Sequence, residues 1–176
     1  MMNYQQLLER NKDREIGQIC YVTNDLRRTL AFMTEKLEMG PWKLLAISNE
    51  SAENIRLDGK LITEPFRSYI AISNIGGMEI EVIQPGFGPN PYSRFLQERG
   101  EGLHHIKFKE EDNQRLKEET EYLSGLVGKP VQYSGEYGLD RHYYVDTYEE
   151  LGSYVELGNF AFMPVPPEPL GQYPEE

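Results

Sequence analysis

Runs rich in β-forming residues over Ile16 to Thr23, Trp42 to Ile47, Arg67 to Asn74 and Met78 to Gln84 predict four strands in the first half of the chain. Between the first two, Leu26, Leu30, Met33 and Leu37 recur on one helical stripe. Asn24 or Asp25 can cap that helix, and Gly40-Pro41 ends it. The stretch Asn49 to Phe66 is polar, but Asp58-Gly59 stands between Ile55-Arg56-Leu57 and Lys60-Leu61-Ile62. This predicts a hairpin, because glycine relieves the positive φ such a turn requires. Gly76-Gly77 joins the last two runs as an antiparallel pair, so the order is β-α-β-β-β.

The second half repeats that order. Leu103 to Lys109 reads as a strand, Asp112 caps a helix bearing Leu116, Leu123 and Leu126, and Gly128-Lys129-Pro130 repeats the stop. Val131 to Tyr133, His142 to Thr147 and Ser153 to Leu157 supply three further strands. Asn90-Pro91, Tyr92, Phe95, Leu96 and Gly100 mark a short helix between the halves. The expected organisation is an N-terminal extension at 1–15, a first βαβββ module at 16–85, a connector at 86–102, a second module at 103–159 and a proline-rich tail at 160–176. From Met163 onward the prolines remove backbone donors and favour an extended path, so the tail is expected to wrap the surface or stay loose.

The repeat also aligns chemistry. Gly17-Gln18-Ile19 and His104-His105-Ile106 occupy matching settings, and an acid follows seven residues later in each, Asp25 and Asp112. Each half closes on a strand with a glutamate between aliphatics, Ile80-Glu81-Val82 and Val155-Glu156-Leu157. Side chains two apart share a strand face, so Gln18, Glu81, His105 and Glu156 all point away from their apolar neighbours and toward one another. Two buried carboxylates without a partner repel and protonate, whereas a divalent cation neutralises them. One histidine with three oxygen donors and no thiolate suits Zn²⁺, Ni²⁺, Co²⁺ or Mn²⁺, with waters in the open positions. Glu79 shares the parity of Glu81 and is the alternative donor. His104 is expected to pack toward the helix side or form a hydrogen bond, and Arg67, Tyr69, Lys107, Arg141, His142 and Tyr144 are candidates to line the cleft.

Composition removes other classes. Acids exceed bases by 29 to 18 for a formal charge of -11, and no basic run is present, so a nucleic-acid backbone would be repelled. A single cysteine, Cys20, excludes an internal disulfide framework. Met1 to Glu15 is too polar for a signal peptide and no run is long enough to cross a bilayer, so a cytoplasmic protein without membrane or nucleic-acid partners is expected.

Ile16-Gly17-Gln18-Ile19, Asp25-Leu26, Glu81-Val82-Ile83-Gln84-Pro85, Gly100-Glu101-Gly102-Leu103-His104-His105-Ile106 and Tyr154-Val155-Glu156-Leu157 together resemble the vicinal oxygen chelate superfamily, in its glyoxalase I and methylmalonyl-CoA epimerase branch. The resemblance spans roughly Glu15 to Asn159 and implies an α+β fold of two βαβββ modules, whose cupped eight-stranded mixed sheet surrounds one divalent metal per site. It places the metal ligands at Gln18, Glu81, His105 and Glu156, a set similar to that of eukaryotic glyoxalase I. It further implies a homodimer, a small substrate with vicinal oxygens, and metal-dependent proton transfer next to a carbonyl, with Glu156 the favoured base and Glu81 its partner. Val22, Glu101 and Pro85 stand where glyoxalase I holds glutathione. An epimerase reading lacks an acid between Phe66 and Met78, and a non-catalytic antibiotic-type binder is the alternative outside enzymes. Gln18 in the first histidine position disfavours iron-dependent ring cleavage.

Overall fold

A computed structural model describes residues 1–159 and 168–175; the tail residues Met163, Pro164, Pro166 and Pro167 lie outside the described residues. The first part of the chain forms α1 (Tyr4–Asn11), β1 (Glu15–Val22), α2 (Leu26–Leu37), β2 (Trp42–Ser48), β3 (Glu53–Leu57), β4 (Lys60–Leu61), β5 (Arg67–Ile75), β6 (Met78–Phe87) and α3 (Pro91–Arg99). There follow β7 (Gly102–Lys109), α4 (Asn113–Val127), β8 (Val131–Tyr137), β9 (Asp140–Val145), α5 (Tyr148–Leu151), β10 (Tyr154–Gly158) and β11 (Glu168–Tyr173). The capping acids act as expected: Asp25 accepts from the backbone N–H of Arg28 at 3.0 Å and Asp112 from that of Arg115 at 2.8 Å.

The described strands form one sheet in the order β11-β2-β5-β6-β1-β7-β10-β9-β8-β3-β4. Its central eight strands read as a mirror about the antiparallel β1–β7 seam, with β6 parallel to β1 and β10 parallel to β7. The sheet exceeds the expected eight strands because both its ends are extended. Part of the proline-rich tail joins β2 as β11. The hairpin at Asp58-Gly59 forms with φ of 50° and 75°, but it pairs with β8 in the far half rather than with its sequence neighbours. Residues 49–52 alone separate β2 from β3, and so short a link reaches at most roughly 18 Å. The two flanks of the sheet must therefore curl toward each other, and the sheet becomes a cup.

Strand alternation then sorts the side chains. On the outer face Leu26, Leu30 and Met33 of α2 pack on Trp42, Ala71, Ile80 and Val82, while Leu116 of α4 packs on Val145 and Leu157. The inner face collects Cys20, Val22, Ile47, Ile70, Tyr133, Tyr144 and Tyr154, with Tyr92 and Phe95 of α3 closing over them. Leu126 departs from the expected stripe of α4 and is 67% exposed. Ten residues beyond Leu116 bring it well off the buried face, whereas Val127, a whole number of turns along, does pack there. Leu37, at the last turn of α2, is likewise exposed.

Helix α1 lies in the extension for which no element was expected. Its one sequence signal is the reciprocal capping box of Asn3 and Gln6, and it buries no residue. Arg10 ties it to Glu119 of α4 at 2.6 Å and lies over the ring of Tyr122. No described helix is long and apolar enough to cross a membrane.

Leu30 is 1% exposed at the centre of the α2 contact. Leu30→Ala should lower the unfolding free energy by about 2–5 kcal/mol, and Leu126→Ala by no more than about 0.5 kcal/mol. Urea denaturation of both variants measures the contrast; equal losses would contradict the assignment of the α4 face.

Candidate metal centre

The site is built on irregularities of the β1–β7 seam. Gln18 pairs with Lys107 and Ile16 with Phe108, which leaves Gly17 unmatched; Cys20 pairs with His105 and Tyr21 with Leu103, which leaves His104 unmatched. Each extra residue is a β-bulge, and each immediately precedes an expected ligand. Bulges bend a strand and re-aim its side chains. Here the stretch between them stays regular, so Gln18, Cys20, His105 and Lys107 share the inner face by alternation, and the residues displaced are Gly17 and His104.

Within one chain, the nitrogen Nε2 of His105 lies 3.1 Å from Oε1 of Gln18, 2.7 Å from Oε2 of Glu156 and 3.7 Å from Oε2 of Glu81. All four side chains are buried. Donors sharing one cation at roughly 2.1 Å stand roughly 3.0–3.5 Å apart; the Gln18 contact lies in that range and those of Glu156 and Glu81 just below and just above it, so small side-chain shifts would let this donor set take a divalent ion. Glu79, the alternative donor, accepts from Nε2 of Gln18 at 2.6 Å. That bond commits the amide nitrogen and turns the amide oxygen toward His105, as outer partners of metal ligands commonly do.

The carboxylates differ in environment. Burial pushes the Glu156 carboxyl up, but the Lys107 ammonium and His105 outweigh it and hold the group well below the ordinary carboxylate range. Lys107 Nζ sits 3.0 Å from Glu156 Oε1. Its own value is raised: burial acts downward but Glu156 prevails. Gly158 makes room for this lysine, since a Cβ there would come within 2.4 Å of Lys107 Cε. Glu81, by contrast, is pushed up to about 8 by burial and then by the like charges of Glu156 and Glu79. A divalent cation at the four donors would relieve that repulsion.

Behind these donors, Cys20, His104 and His105 offer ligand-type atoms within 4.8 Å of one another. Burial, followed by the neighbouring Glu81, keeps Cys20 a thiol, and burial followed by His105 keeps His104 neutral. His104 packs against Tyr92 and Phe95 of α3, on the face opposite to α2 and α4. The bulge swings it inward, where its Nδ1 lies 2.9 Å from Nδ1 of His105, the hydrogen bond that was the other expectation.

A cavity of about 250 Å³ opens above the site. Leu45, Ile47, Ile70 and Ile72 form one wall, and Tyr137, Asp140, His142 and Tyr144 stand opposite. Lys107, His142 and Tyr144 thus reach the cleft as anticipated. Arg67, Tyr69 and Arg141 do not: Arg67 pairs with Glu168 of β11 at 2.5 Å, Tyr69 packs on the α2 side, and Arg141 faces Glu136 at 3.6 Å. Sequence reasoning missed Asp140 and Tyr137. Asp140 Oδ1 lies 3.3 Å from Nδ1 of His142, and Tyr137 stacks on the His142 ring at 5.1 Å. The two-residue spacing of Asp140 and His142 was the available clue.

The fold has counterparts among known proteins. Residues 17–123 match the model of the glyoxalase/bleomycin resistance protein/dioxygenase superfamily. The chain belongs to that superfamily. No curated protein matches it in sequence. Among solved structures, a hypothetical protein from Bacillus halodurans aligns with a TM-score of 0.57 at 17% identity, covering 85% of this chain and 96% of that one. A variant of Streptomyces coelicolor methylmalonyl-CoA epimerase in complex with 2-nitronate-propionyl-CoA gives 0.58 at 19% identity, covering 84% and 97%. A mutant of 4-hydroxymandelate synthase from Streptomyces coelicolor gives 0.53 at 17% identity, covering 91% of this chain and 42% of that one. At these identities the likeness is one of fold.

Glu81 leads to a prediction for the metal-free protein. Between its ordinary 4.5 and about 8, the folded state keeps the Glu81 proton while the unfolded chain releases it, so stability falls as pH rises through that window. Glu156 adds no slope there, because the stabilisation from a depressed carboxyl is fully present above 4.5. Below pH 6.5 the buried neutral His104 opposes this slope, because the unfolded chain protonates there and the folded ring does not, so the thermal midpoint of chelator-treated protein should decline between 6.5 and about 8, and Glu81→Gln should flatten that decline. An unchanged slope in that variant would assign the pH dependence elsewhere.

Proposed function

We propose that this protein is a metal-dependent isomerase or lyase that moves a proton next to a carbonyl. The observation that carries the reading is the convergence of Gln18, Glu81 and Glu156 oxygens on Nε2 of His105 at the floor of a cavity. Gln18, Glu81, His105 and Glu156 would hold a single Zn²⁺, Ni²⁺, Co²⁺ or Mn²⁺. When bound, such an ion polarises a carbonyl oxygen and acidifies the neighbouring C–H. The chain's own residues do the rest. The aliphatic wall of Leu45, Ile47, Ile70 and Ile72 takes the apolar part of a small substrate whose vicinal oxygens face the donors.

Of the two carboxylates, the geometry favours Glu81 as the proton acceptor. Glu156 has one oxygen against His105 and the other against Lys107, which suits a ligand more than a base. Both carboxylates line the cavity, and Glu81 stands the farther from His105. An acyl-CoA epimerase reading draws support from the fold neighbours, but the inner face of β5 carries Ser68, Ile70 and Ile72, so no second acid stands there. The proton-transfer reading therefore stays general as to substrate, with a non-catalytic binder of the same fold as its rival.

Elemental analysis of the purified protein should find about one divalent ion per chain, and His105→Ala should empty the site while leaving the fold, whose helix-side cores lie on the other face of the sheet. Metal retained at full occupancy in that variant removes the basis of the site. Incubation in heavy water with α-hydroxy ketones, thiohemiacetals and acyl-CoA esters should then reveal solvent-deuterium incorporation into one class. Glu81→Gln, which keeps an oxygen donor without its basicity, should lower that incorporation at least roughly 10²-fold. Tight binding with no exchange in any class identifies a binder instead.

A further inference from the structure

The two bulges of the β1–β7 seam are not alike. Gly17 makes its bulge without a side chain, whereas the matching position in the other half carries His104, fully buried. The bulge itself does not require an imidazole. What His104 adds is a ring nitrogen, Nδ1, placed 2.9 Å from Nδ1 of His105.

We propose that His104 is a positioning residue of the metal centre: it accepts the Nδ1–H of His105 and so fixes the tautomer in which His105 Nε2 presents its lone pair to a divalent cation. The inference rests on the metal reading above and extends it to a residue outside the ligand set. Two neutral imidazoles facing each other through Nδ1 can share one proton there, so one ring donates and the other accepts. If His104 donates, His105 carries its hydrogen on Nε2, and that N–H fills the position between Gln18 and Glu156 that a cation needs. If His104 accepts, His105 Nε2 is bare and can ligate.

Without a cation the oxygens of Gln18 and Glu156, at 3.1 and 2.7 Å, suit an N–H on His105 Nε2; a bound cation takes that place, and the surroundings of His104 then suit the second arrangement. Its ring is enclosed by Tyr92, Phe95, Tyr144 and Tyr154, with centroids 5.0, 5.0, 5.4 and 5.0 Å away, in edge-on or tilted contact. Its Nε2 is buried with no hydrogen-bond partner among the described residues. Aromatic faces are electron-rich, so they receive an N–H favourably and oppose a lone pair. A cage of this kind can receive the His104 hydrogen on Nε2, which leaves Nδ1 as the acceptor. No tyrosine hydroxyl among the described residues reaches His104 Nε2, and those of Tyr92 and Tyr144 bond to each other at 3.0 Å.

The test compares Zn²⁺ affinity, by competition with a chromophoric chelator, in the parent, His104→Phe and His104→Asn. Phenylalanine keeps a ring in the cage but offers no acceptor, and affinity should fall about 10–100-fold. Asparagine places Oδ1 where Nδ1 stood and should restore most of the loss. Long-range proton–nitrogen NMR on the Zn²⁺-loaded parent should show His104 protonated on Nε2 and His105 on Nδ1, and it decides the matter even if His104→Phe fails to fold. Parental affinity in His104→Phe, an equal loss in both variants, or His104 protonated on Nδ1 each overturns the inference alone. A parent that takes up none of Zn²⁺, Ni²⁺, Co²⁺ or Mn²⁺ overturns the metal reading and this inference together.

Discussion

Strand β1 and strand β7 run antiparallel through the middle of the sheet, and every polar group at the floor of the cup depends on how they pair. A regular antiparallel ladder would alternate side chains strictly between the helix-covered face and the cavity. The extra residues Gly17 and His104 break that ladder once near each end, and the break falls just before Gln18 and just before His105. The outer strands β6 and β10 are regular against this seam, so Glu81 and Glu156 arrive by simple alternation. The centre thus combines two regular strands, which supply carboxylates, with two distorted ones, which supply the neutral donors.

So much buried charge survives because it is internally matched. Glu156 has Lys107 and His105, Glu79 has the amide of Gln18, and Asp140 has His142. A buried charge without such a partner costs several kcal/mol, and these contacts spread that cost over complementary groups. The arrangement leaves Glu81 as the carboxyl with the least compensation, crowded by two like charges. This asymmetry between the carboxyls makes the site chemically directional. The aliphatic wall of the cavity adds a second direction, apolar on one side and ionisable on the other.

Much of this was legible in the amino-acid sequence because it is local or periodic. Asp25 and Asp112 cap helices through bonds spanning three residues, and the inward set Gln18, Glu81, His105 and Glu156 follows from a period of two. What escaped was non-local or aperiodic. Nothing in Ile55-Arg56-Leu57 says that its partner is β8, since an edge strand's neighbour is chosen by the closure of the whole cup. The bond between Lys107 and Glu156 depends on the register of β7 against β10, which no single strand encodes. His104 defeated alternation because a bulge is a break in the period itself; the doubled motif Gly17-Gln18 and His104-His105 was its only trace. Gly135 interrupts β8 and shortened the expected strand, yet the ring of His142 packs where its side chain would have been.

The mirror-like order of the sheet carries a consequence for how such a donor set can arise. Each half contributes one carboxylate and one neutral donor, Gln18 with Glu81 and His105 with Glu156. Two copies of the first half, associated symmetrically, would surround an ion with two amides and two carboxylates. Two copies of the second would present two imidazoles and two carboxylates. These sets differ in softness and hence in the ions they prefer. One imidazole, one amide and two carboxylates require two unlike halves, so the linkage through α3 does more than hold two repeats together: it brings into one chain a set of side chains that no self-association of either repeat can produce.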